Sequence, residues 1–172
     1  MARNVEIKAR VDSIDVLLPR ARALAGGEPQ CLAQDDTFFH VPHGRLKLRQ
    51  FDDGSAELIH YHRPDTGDAK LSDYVRTPVS DPASLRAALE RALGTRGRVI
   101  KQRLVLLAGA TRIHLDRVDG LGEFIELEVV LRDEQSERDG AVIAERLMHE
   151  LGLARAPRIA GAYLDLLAVA PA

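Results

Sequence analysis

The stretch Asn4-Val-Glu-Ile-Lys-Ala-Arg10 alternates polar and apolar side chains without a break. Successive side chains of an extended strand point to opposite faces, so Glu6, Lys8 and Arg10 fall together on one face. The residues between them are all apolar and fall on the other face. This stretch therefore predicts a strand that separates ions from apolar side chains.

Three further runs repeat this alternation along the chain. They are Arg45-Leu-Lys-Leu-Arg49, Arg112-Ile-His-Leu-Asp116 and Glu126-Leu-Glu128. Strands of this kind build a sheet with one apolar face and one face of ions, most of them cations. The direction in which the charged face points then decides the fold.

The length and composition limit the class of protein. A chain of 172 residues with 45% hydrophobic residues can bury one core, which predicts a single domain over residues 1–172. The net charge of −2 argues against nucleic acid as a partner held by overall positive potential. The single cysteine, Cys31, excludes an internal disulfide and is expected to be a small buried apolar residue. We find no signal segment and no apolar span of about 20 residues, so we expect a cytoplasmic protein that does not bind a membrane.

Hydrophobic periodicity predicts eight strands and three helices. The strands are expected at residues 4–11, 31–41, 45–50, 56–63, 70–79, 99–108, 111–117 and 123–131. The helices are expected at residues 14–24, at residues 82–93 and after Ser136, and the apolar tail 159–168 is expected to dock. This α+β pattern with hairpin connections predicts an antiparallel barrel or two facing sheets. If the helices cover the apolar face, the ions point into the barrel.

The charged face combines cations from at least four strands. They are Lys8, Arg10, Arg45, Lys47, Arg49, Lys101, Arg103 and Arg112. Like charges on one sheet face repel, so this density requires carboxylates or a polyanionic ligand, and a triphosphate meets that requirement. The carboxylates on the same face are Glu6, Asp116, Glu126 and Glu128. Carboxylates at alternate positions of one strand can converge on Mg²⁺ or Mn²⁺, which would polarise a phosphate.

The residues support other kinds of site less well. His60 and His62 share a face and could bind a metal, but no third ligand is evident, which favours exposed or hydrogen-bonded histidines. No serine or cysteine nucleophile with a partnered base is recognisable, and no glycine-rich phosphate loop occurs. Each charged run alone is typical of a solvated sheet face. A plain structural scaffold does not explain why basic residues share one face on four strands.

The order and spacing of these motifs resemble the CYTH superfamily of triphosphate tunnel metalloenzymes over nearly the whole chain. The matching segments are Glu6-Ile-Lys8-Ala-Arg10, Asp36-Thr-Phe-Phe39, Leu46-Lys-Leu-Arg49, the Lys101/Arg103 pair, Arg112, Leu115-Asp116 with Gly120-Leu-Gly122, and Phe124-Ile-Glu-Leu-Glu128. The superfamily includes class IV adenylyl cyclases, thiamine triphosphatases and inorganic tripolyphosphatases. The resemblance implies an eight-stranded antiparallel tunnel in which cations hold a triphosphate and carboxylates hold Mg²⁺ or Mn²⁺.

The resemblance assigns two sets of residues in this sequence. The implied phosphate ligands are Lys8, Lys47, Arg49, Lys101, Arg103 and Arg112, and Arg10 belongs to the same basic lining. The implied metal ligands are Glu6, Asp116, Glu126 and Glu128. Members of the superfamily are often dimers, so a homodimer is implied as well.

Two positions depart from the pattern of the superfamily. Its opening signature, Glu-x-Glu-x-Lys, has Asn4 in place of the first glutamate, which removes one anionic metal ligand. A Tyr-Lys-x-Pro stretch is replaced by Tyr61-His-Arg-Pro64, so His62 or Arg63 is expected to supply the missing phosphate contact. A histidine there would make binding sensitive to pH near neutrality.

The resemblance implies three candidate activities for one basic tunnel. The opening Glu-Ile-Lys-Ala-Arg and the segment from Arg63 to Tyr74 resemble the cyclase branch, which converts ATP to cyclic AMP and pyrophosphate. A triphosphatase would direct water at the terminal phosphate of thiamine triphosphate or tripolyphosphate, with the same cations. A non-catalytic module that holds a polyphosphate is the alternative that Asn4 and the lost lysine favour.

Overall fold

The computed structural model describes residues 2–169, which form a closed antiparallel barrel of eight strands. The strands are β1 (Ala2–Arg10), β2 (Gln30–Phe39), β3 (Arg45–Phe51), β4 (Ala56–His62), β5 (Lys70–Pro78), β6 (Thr95–Ala108), β7 (Thr111–Val118) and β8 (Gly122–Val130). Around the barrel their order is β1-β5-β4-β3-β2-β6-β7-β8. The predicted barrel is confirmed. Of the predicted single domain over 1–172, residue 1 and residues 170–172 lie outside the described part.

The register of β1 places the ions inside the barrel. Its neighbours are β5 and β8, and Glu6 lies directly opposite Lys70 on β5 and Glu128 on β8. Val5 and Ile7 occupy the alternate face and are fully buried in the hydrophobic core outside the barrel. The ions of β1 therefore point inward, as the alternation predicts.

Two helices cover the apolar outer face on one side of the barrel. α1 (Ile14–Ala25) packs on β6 and β7, and α3 (Glu137–Glu150) packs on β1 and β8. Each fully buried Ile, Leu or Val side chain in this core contributes roughly 1.5–3 kcal/mol to folding. A Cβ atom at Gly140 of α3 would lie 2.6 Å from Cγ2 of Val5, so the absence of a side chain allows the helix to approach β1 closely.

Capping residues fix where the helices begin and end. Ser13 caps α1, which ends at Gly26 in the left-handed conformation with a φ of 70°. α2 (Pro82–Leu93) starts after Asp81, whose side chain accepts a hydrogen bond from the backbone of the first turn. Ser136 opens α3 with a reciprocal capping box. The three predicted helices are confirmed.

The C-terminal segment closes one end of the barrel. The backbone N–H of Ile159 donates to the carbonyl of Lys8 at 2.9 Å. The chain then forms a fourth helix, α4 (Tyr163–Val169), which the sequence pattern predicts only as an apolar tail. Tyr163 and Leu164 are buried in a hydrophobic cluster with side chains from β2, β6, β7 and β8. The prediction that the tail docks is confirmed.

β6 begins at Thr95 and is longer than the predicted strand, because it continues through a glycine. A Cβ atom at Gly97 would lie 2.5 Å from Cδ1 of Leu164. Glycine weakens a strand pattern in the sequence, but here it makes room for α4.

The prediction for Cys31 is wrong, because this residue is exposed. It lies on the outward face at the start of β2, where the strand is not covered. Within residues 2–169, no helix is both long enough and apolar enough to cross a membrane.

Candidate functional site in the barrel lumen

A cavity of about 320 Å³ lies inside the barrel and is lined by all eight strands. Its lining contains eight lysine and arginine side chains but five aspartate and glutamate side chains. The cations are Lys8, Lys47, Arg49, Arg63, Arg76, Lys101, Arg103 and Arg112. The carboxylates are Glu6, Asp36, Glu57, Glu126 and Glu128. This surplus of positive charge, in surroundings of low dielectric constant, favours an anionic ligand.

One side of the cavity, formed by β2, β3 and β6, is here called the cationic wall, because three cations surround the carboxylate of Asp36. Lys47 Nζ and Lys101 Nζ lie 3.0 and 3.1 Å from Asp36 Oδ2. Arg49 donates from Nε to Oδ1 and from Nη2 to Oδ2, each at 2.7 Å. Burial would raise the pKa of Asp36, but Arg49 and the two lysines hold it well below its usual range. Asp36 is therefore ionised and fixes all three cations.

The two lysines of the cationic wall have lowered pKa values. Burial lowers the pKa of Lys101 to about 7, although Asp36 acts in the opposite direction. Burial and the charge of Arg49 lower the pKa of Lys47 to about 8. The wall thus holds more positive charge than Asp36 neutralises, and a bound polyanion would favour the charged forms of both lysines.

Arg103, next to this wall, is fixed by a carboxylate behind the cavity surface. Its Nε and Nη2 donate to the two oxygens of Asp116, each at 2.6 Å, and Tyr163 Oη donates to Asp116 Oδ2 at 2.8 Å. Asp116 is fully buried, and burial would raise its pKa, but Arg103 lowers it. Because both of its oxygens are engaged by these donors, Asp116 orients Arg103 and is not positioned with the predicted metal ligands.

The opposite side of the cavity, formed by β1, β7 and β8, is here called the acidic wall. Glu6 and Glu128 are cross-strand partners, and Glu126 lies between Lys8 on β1 and His114 on β7. The three carboxylates are therefore adjacent on two neighbouring strands.

Each carboxylate of the acidic wall has a cation within ion-pair distance. The pairs are Lys8 with Glu126 at 2.9 Å, Arg112 with Glu128 at 2.8 Å and Arg63 with Glu6 at 2.6 Å. Burial and the charge of Glu126 raise the pKa of Glu6, even though Arg63 acts against them. Burial would also raise the pKa of Glu126, but Lys8 holds it well below its usual range. Burial and, to a lesser extent, the charge of Glu126 therefore disfavour the ionised form of Glu6.

The donor atoms of the acidic wall fit a divalent cation. A ring nitrogen of His114 and one carboxylate oxygen each of Glu126 and Glu128 all lie within 4.8 Å of one another. Asn4 lines the same cavity, and its buried Oδ1 has no hydrogen-bond partner among residues 2–169. Carboxylate and amide oxygens suit Mg²⁺ and Mn²⁺, and a cation here would also offset the repulsion felt by Glu6.

The two ends of the cavity differ in their access to solvent. At the end closed by α4, the lining residues Phe38, Val99 and Tyr163 are buried. At the other end, the lining residues Gln30 and Arg76 are exposed. The cavity therefore opens at the end away from α4.

Ten of the thirteen predicted site residues line the cavity. They are Glu6, Lys8, Lys47, Arg49, Arg63, Lys101, Arg103, Arg112, Glu126 and Glu128. Asp116 lies behind the surface, and Arg10 and His62 are exposed. Arg10 ends β1, where it donates to the carbonyl of Leu121 at 2.7 Å. His62 falls on the outward face of β4, so of the two candidates for the missing phosphate contact it is Arg63 that enters the cavity.

The sequence pattern does not single out three residues that shape the site. Asp36 lies on the inward face of β2, but its outward neighbour Asp35 is also charged and hides the alternation. His114 shares a face with Arg112, yet a lone histidine carries little information on its own. Tyr163 comes from the C-terminal tail, where no periodicity points toward the lumen.

Arg45, which was also expected on the charged face, does not line the cavity. It pairs instead with Asp65 and Asp165, at 2.8 and 3.2 Å.

Comparisons with known proteins agree with this architecture. The model of the family described as CYTH domain matches residues 2–163. The PH1012 protein from Pyrococcus horikoshii OT3 is 21% identical, with a TM-score of 0.85 over 95% of this chain and 99% of that one. A Vibrio parahaemolyticus protein described as a candidate adenylate cyclase is 21% identical, with a TM-score of 0.79 over 96% and 98% of the two chains.

A third similar structure carries a different functional description. The Hippeastrum protein HpAC1, described as a candidate adenylyl cyclase with a dominant triphosphatase activity, is 17% identical. Its TM-score is 0.68 over 96% of this chain and 95% of that one. At these identities the likeness establishes the fold alone. A sequence comparison with curated proteins gives no significant match.

Proposed function

This chain belongs to the CYTH domain family, and on that premise we propose that it is a metal-dependent enzyme that cleaves an organic triphosphate bound in the barrel. The reaction we propose first is that of a class IV adenylyl cyclase, which converts ATP to cyclic AMP and pyrophosphate. The observation that carries the proposal is the arrangement of three cations around Asp36, facing a wall of carboxylates across one cavity.

The triphosphate would lie between the two walls. Lys47, Arg49 and Lys101 would bind its oxygens from the cationic wall, and the planar guanidinium of Arg49 can donate two parallel hydrogen bonds. Arg103 would join them, since Asp116 holds its side chain toward the lumen. Hydrogen bonds to charged groups contribute about 1.5–3 kcal/mol each, so a few such contacts support tight binding.

Glu6, Glu126 and Glu128 would hold Mg²⁺ or Mn²⁺ at the acidic wall. When bound, such an ion polarises phosphate oxygens and stabilises the charge that develops on the leaving group. Lys8 and Arg63 keep two of these carboxylates in place through short ion pairs. The protein thus fixes the positions of the donor groups before the substrate arrives.

The open end of the cavity suits the organic part of the substrate. Leu32, Phe51 and Val105 line this region and offer apolar surface to a nucleoside. A nucleoside held there would direct its triphosphate toward the closed end beside Tyr163. A rigid lumen that holds ribose and triphosphate together can bring the 3′-hydroxyl to the α-phosphate, which is the geometry that cyclisation requires.

Gln34 favours triphosphate hydrolysis as a second candidate function. It lines the cavity opposite Lys101, and its buried Oε1 has no hydrogen-bond partner among the described residues. An amide oxygen beside a phosphate-binding lysine can accept a hydrogen bond from a water molecule and orient it for attack. The product would be orthophosphate, released from thiamine triphosphate or tripolyphosphate.

Product analysis tests both candidates. The purified protein is incubated with Mg²⁺ or Mn²⁺ and, separately, with ATP, thiamine triphosphate and tripolyphosphate, with a chelator-treated sample as the control. Cyclic AMP and pyrophosphate support the cyclase, whereas orthophosphate supports the hydrolase. Binding without any product supports a non-catalytic polyphosphate-binding module. If the protein neither binds a triphosphate nor forms a product, the tunnel assignment is wrong.

A further inference from the structure

The imidazole of His114 lies beside the Oε1 atoms of Glu126 and Glu128. Its Nδ1 lies 3.4 Å from Glu126 Oε1 and 3.7 Å from Glu128 Oε1. The other oxygen of each carboxylate is engaged, by Lys8 at 2.9 Å and by Arg112 at 2.8 Å. His114 Nδ1 therefore faces both Oε1 atoms. Glu126 Oε1 also accepts a hydrogen bond of 3.3 Å from Arg103 Nη2, which a bound ion would displace.

The two distances from His114 Nδ1 are close to the spacing of ligands around one ion. Two donor atoms that each lie about 2.1 Å from a metal are about 3.0–3.5 Å apart at octahedral or tetrahedral angles. The distances from His114 Nδ1 to the two glutamate oxygens, 3.4 and 3.7 Å, differ little from that range. Small movements of the side chains would therefore complete the coordination.

Asn4 gives an independent sign of a ligand further along the acidic wall, next to Glu6. Its side chain is 2% exposed, and its Oδ1 has no hydrogen-bond partner among residues 2–169. It precedes Glu6 by two positions on β1, so both side chains face the lumen, and both line the cavity with Glu128. A buried amide oxygen without a donor costs free energy, which a cation would recover.

We propose that His114 supplies a nitrogen ligand beside Glu126 and Glu128, so that the site binds Mn²⁺ or another imidazole-accepting transition metal in preference to Mg²⁺. Imidazole is a good ligand for first-row transition metals, whereas Mg²⁺ takes oxygen ligands almost exclusively. Asn4 also lowers the negative charge of the site, which reduces its attraction for a hard ion held mainly by charge. Preference among metals then rests on His114.

The metal requirement of the reaction rests on the function proposed above, but the binding preference can be measured without any triphosphate. The full-length protein is titrated with Mn²⁺, and free Mn²⁺ is followed by its electron paramagnetic resonance signal, with and without competing Mg²⁺. Pulsed measurements on the bound ion detect magnetic coupling to a directly bound nitrogen. Absence of turnover with every triphosphate would leave this result unchanged.

The matched variants are His114→Gln in the lumen and His149→Gln on the exposed surface of α3. For His114→Gln we expect Mn²⁺ affinity to fall by on the order of 10- to 100-fold. Mg²⁺ affinity should change little, and the nitrogen coupling should disappear. His149→Gln should match the wild type.

The alternative is that His114 only forms a hydrogen bond with Glu126 and never binds a metal. In that case bound Mn²⁺ shows no nitrogen coupling in the wild type, and the ratio of Mn²⁺ to Mg²⁺ affinity is the same in His114→Gln. Either result overturns the proposal. The coupling in the wild-type protein decides the question even if the variant does not fold.

Discussion

The cationic wall and the acidic wall both bury ionised side chains, but they balance their charges differently. In the cationic wall three cations share Asp36, and burial together with the neighbouring positive charge lowers the pKa values of Lys47 and Lys101. In the acidic wall each carboxylate has its own cation, and burial together with the charge of Glu126 raises the pKa of Glu6. The cationic wall therefore has a surplus of positive charge, whereas the acidic wall offers carboxylate oxygens whose charge is already balanced. A metal complex of a triphosphate presents an anion to the first wall and a cation to the second.

Removing the central charge of the cationic wall should give the largest effect. Asp36→Asn leaves three buried cations without their counter-charge, so we expect the free energy of unfolding to fall by about 3–5 kcal/mol. Urea unfolding measures the loss, and added tripolyphosphate should recover part of it, because its charge replaces that of Asp36.

The adjacent Asp35 provides the control for that experiment. It pairs with exposed Arg98 on the outer face, so Asp35→Asn should cost about 1 kcal/mol or less. Equal losses in the two variants would show that Asp36 has no special role in holding the cations.

Neutralising the acidic wall should separate turnover from binding. In Glu126→Gln and Glu128→Gln we expect metal-dependent turnover to fall by on the order of 100-fold, because each change removes a metal ligand. Triphosphate binding, measured by calorimetry without metal, should remain within a few-fold of the wild type. Glu134→Gln, at an exposed position paired with Arg132, is the control. Unchanged turnover in both lumen variants would remove these glutamates from the metal site.

Removing one cation from the cationic wall should have the converse effect. Arg49→Ala should weaken triphosphate binding by about 10-fold or more, since it deletes a charge-assisted contact that contributes about 1.5–3 kcal/mol. Arg103→Ala should act in the same direction. The exposed Arg98→Ala serves as the control in the same calorimetric titration. Wild-type affinity in both lumen variants would rule out the tunnel as the triphosphate site.

The smallest effect should be a dependence on pH that arises in the cationic wall. The pKa values of Lys101 and Lys47 are about 7 and 8 in the folded protein, below the value of about 10.4 in an unfolded chain. Above pH 7 the unfolded state therefore binds more protons, and these groups make the unliganded protein more stable as the pH rises toward 10.

Triphosphate binding should reverse this shift, because its charge favours the protonated lysines. Binding near pH 8 should therefore take up protons, and affinity should fall by a few-fold as the pH rises through 7 to 8 and beyond. Calorimetry in two buffers with different ionisation enthalpies measures the uptake. If the Lys101→Met variant takes up as many protons on triphosphate binding as the wild type, Lys101 is not the source of the uptake.

How much of the site the sequence predicts depends on how regularly polar and apolar residues alternate along each strand. In segments 4–10 of β1, 45–49 of β3 and 126–128 of β8, polar and apolar residues alternate strictly, so the sequence alone places Lys8, Lys47, Arg49 and Glu126 inside a barrel. The resemblance to the CYTH superfamily strengthened that prediction.

Alternation alone gives wrong positions for residues at strand ends and for residues that other side chains bind behind the cavity surface. Arg10 has the correct parity but ends its strand, so its side chain reaches solvent. His62 and Arg63 are neighbours in the chain, and only the exact register decides which one enters the lumen. Asp116 also has the correct parity, but Arg103 and Tyr163 bind it behind the surface. Contacts of this kind depend on tertiary structure, which no local pattern encodes.

The homodimer and the cytoplasmic location stay predictions.

The pairing of β1 with β8 also has a consequence for how this lumen is built. Lys8 meets Glu126 only when the barrel closes, and this contact joins the first strand of the chain to the last. Such distant contacts form slowly, because a long loop must be closed before they give any stabilisation. The lumen side chains therefore stay hydrated until late in folding. The free-energy cost of removing water from these ions therefore falls on the closure of the barrel.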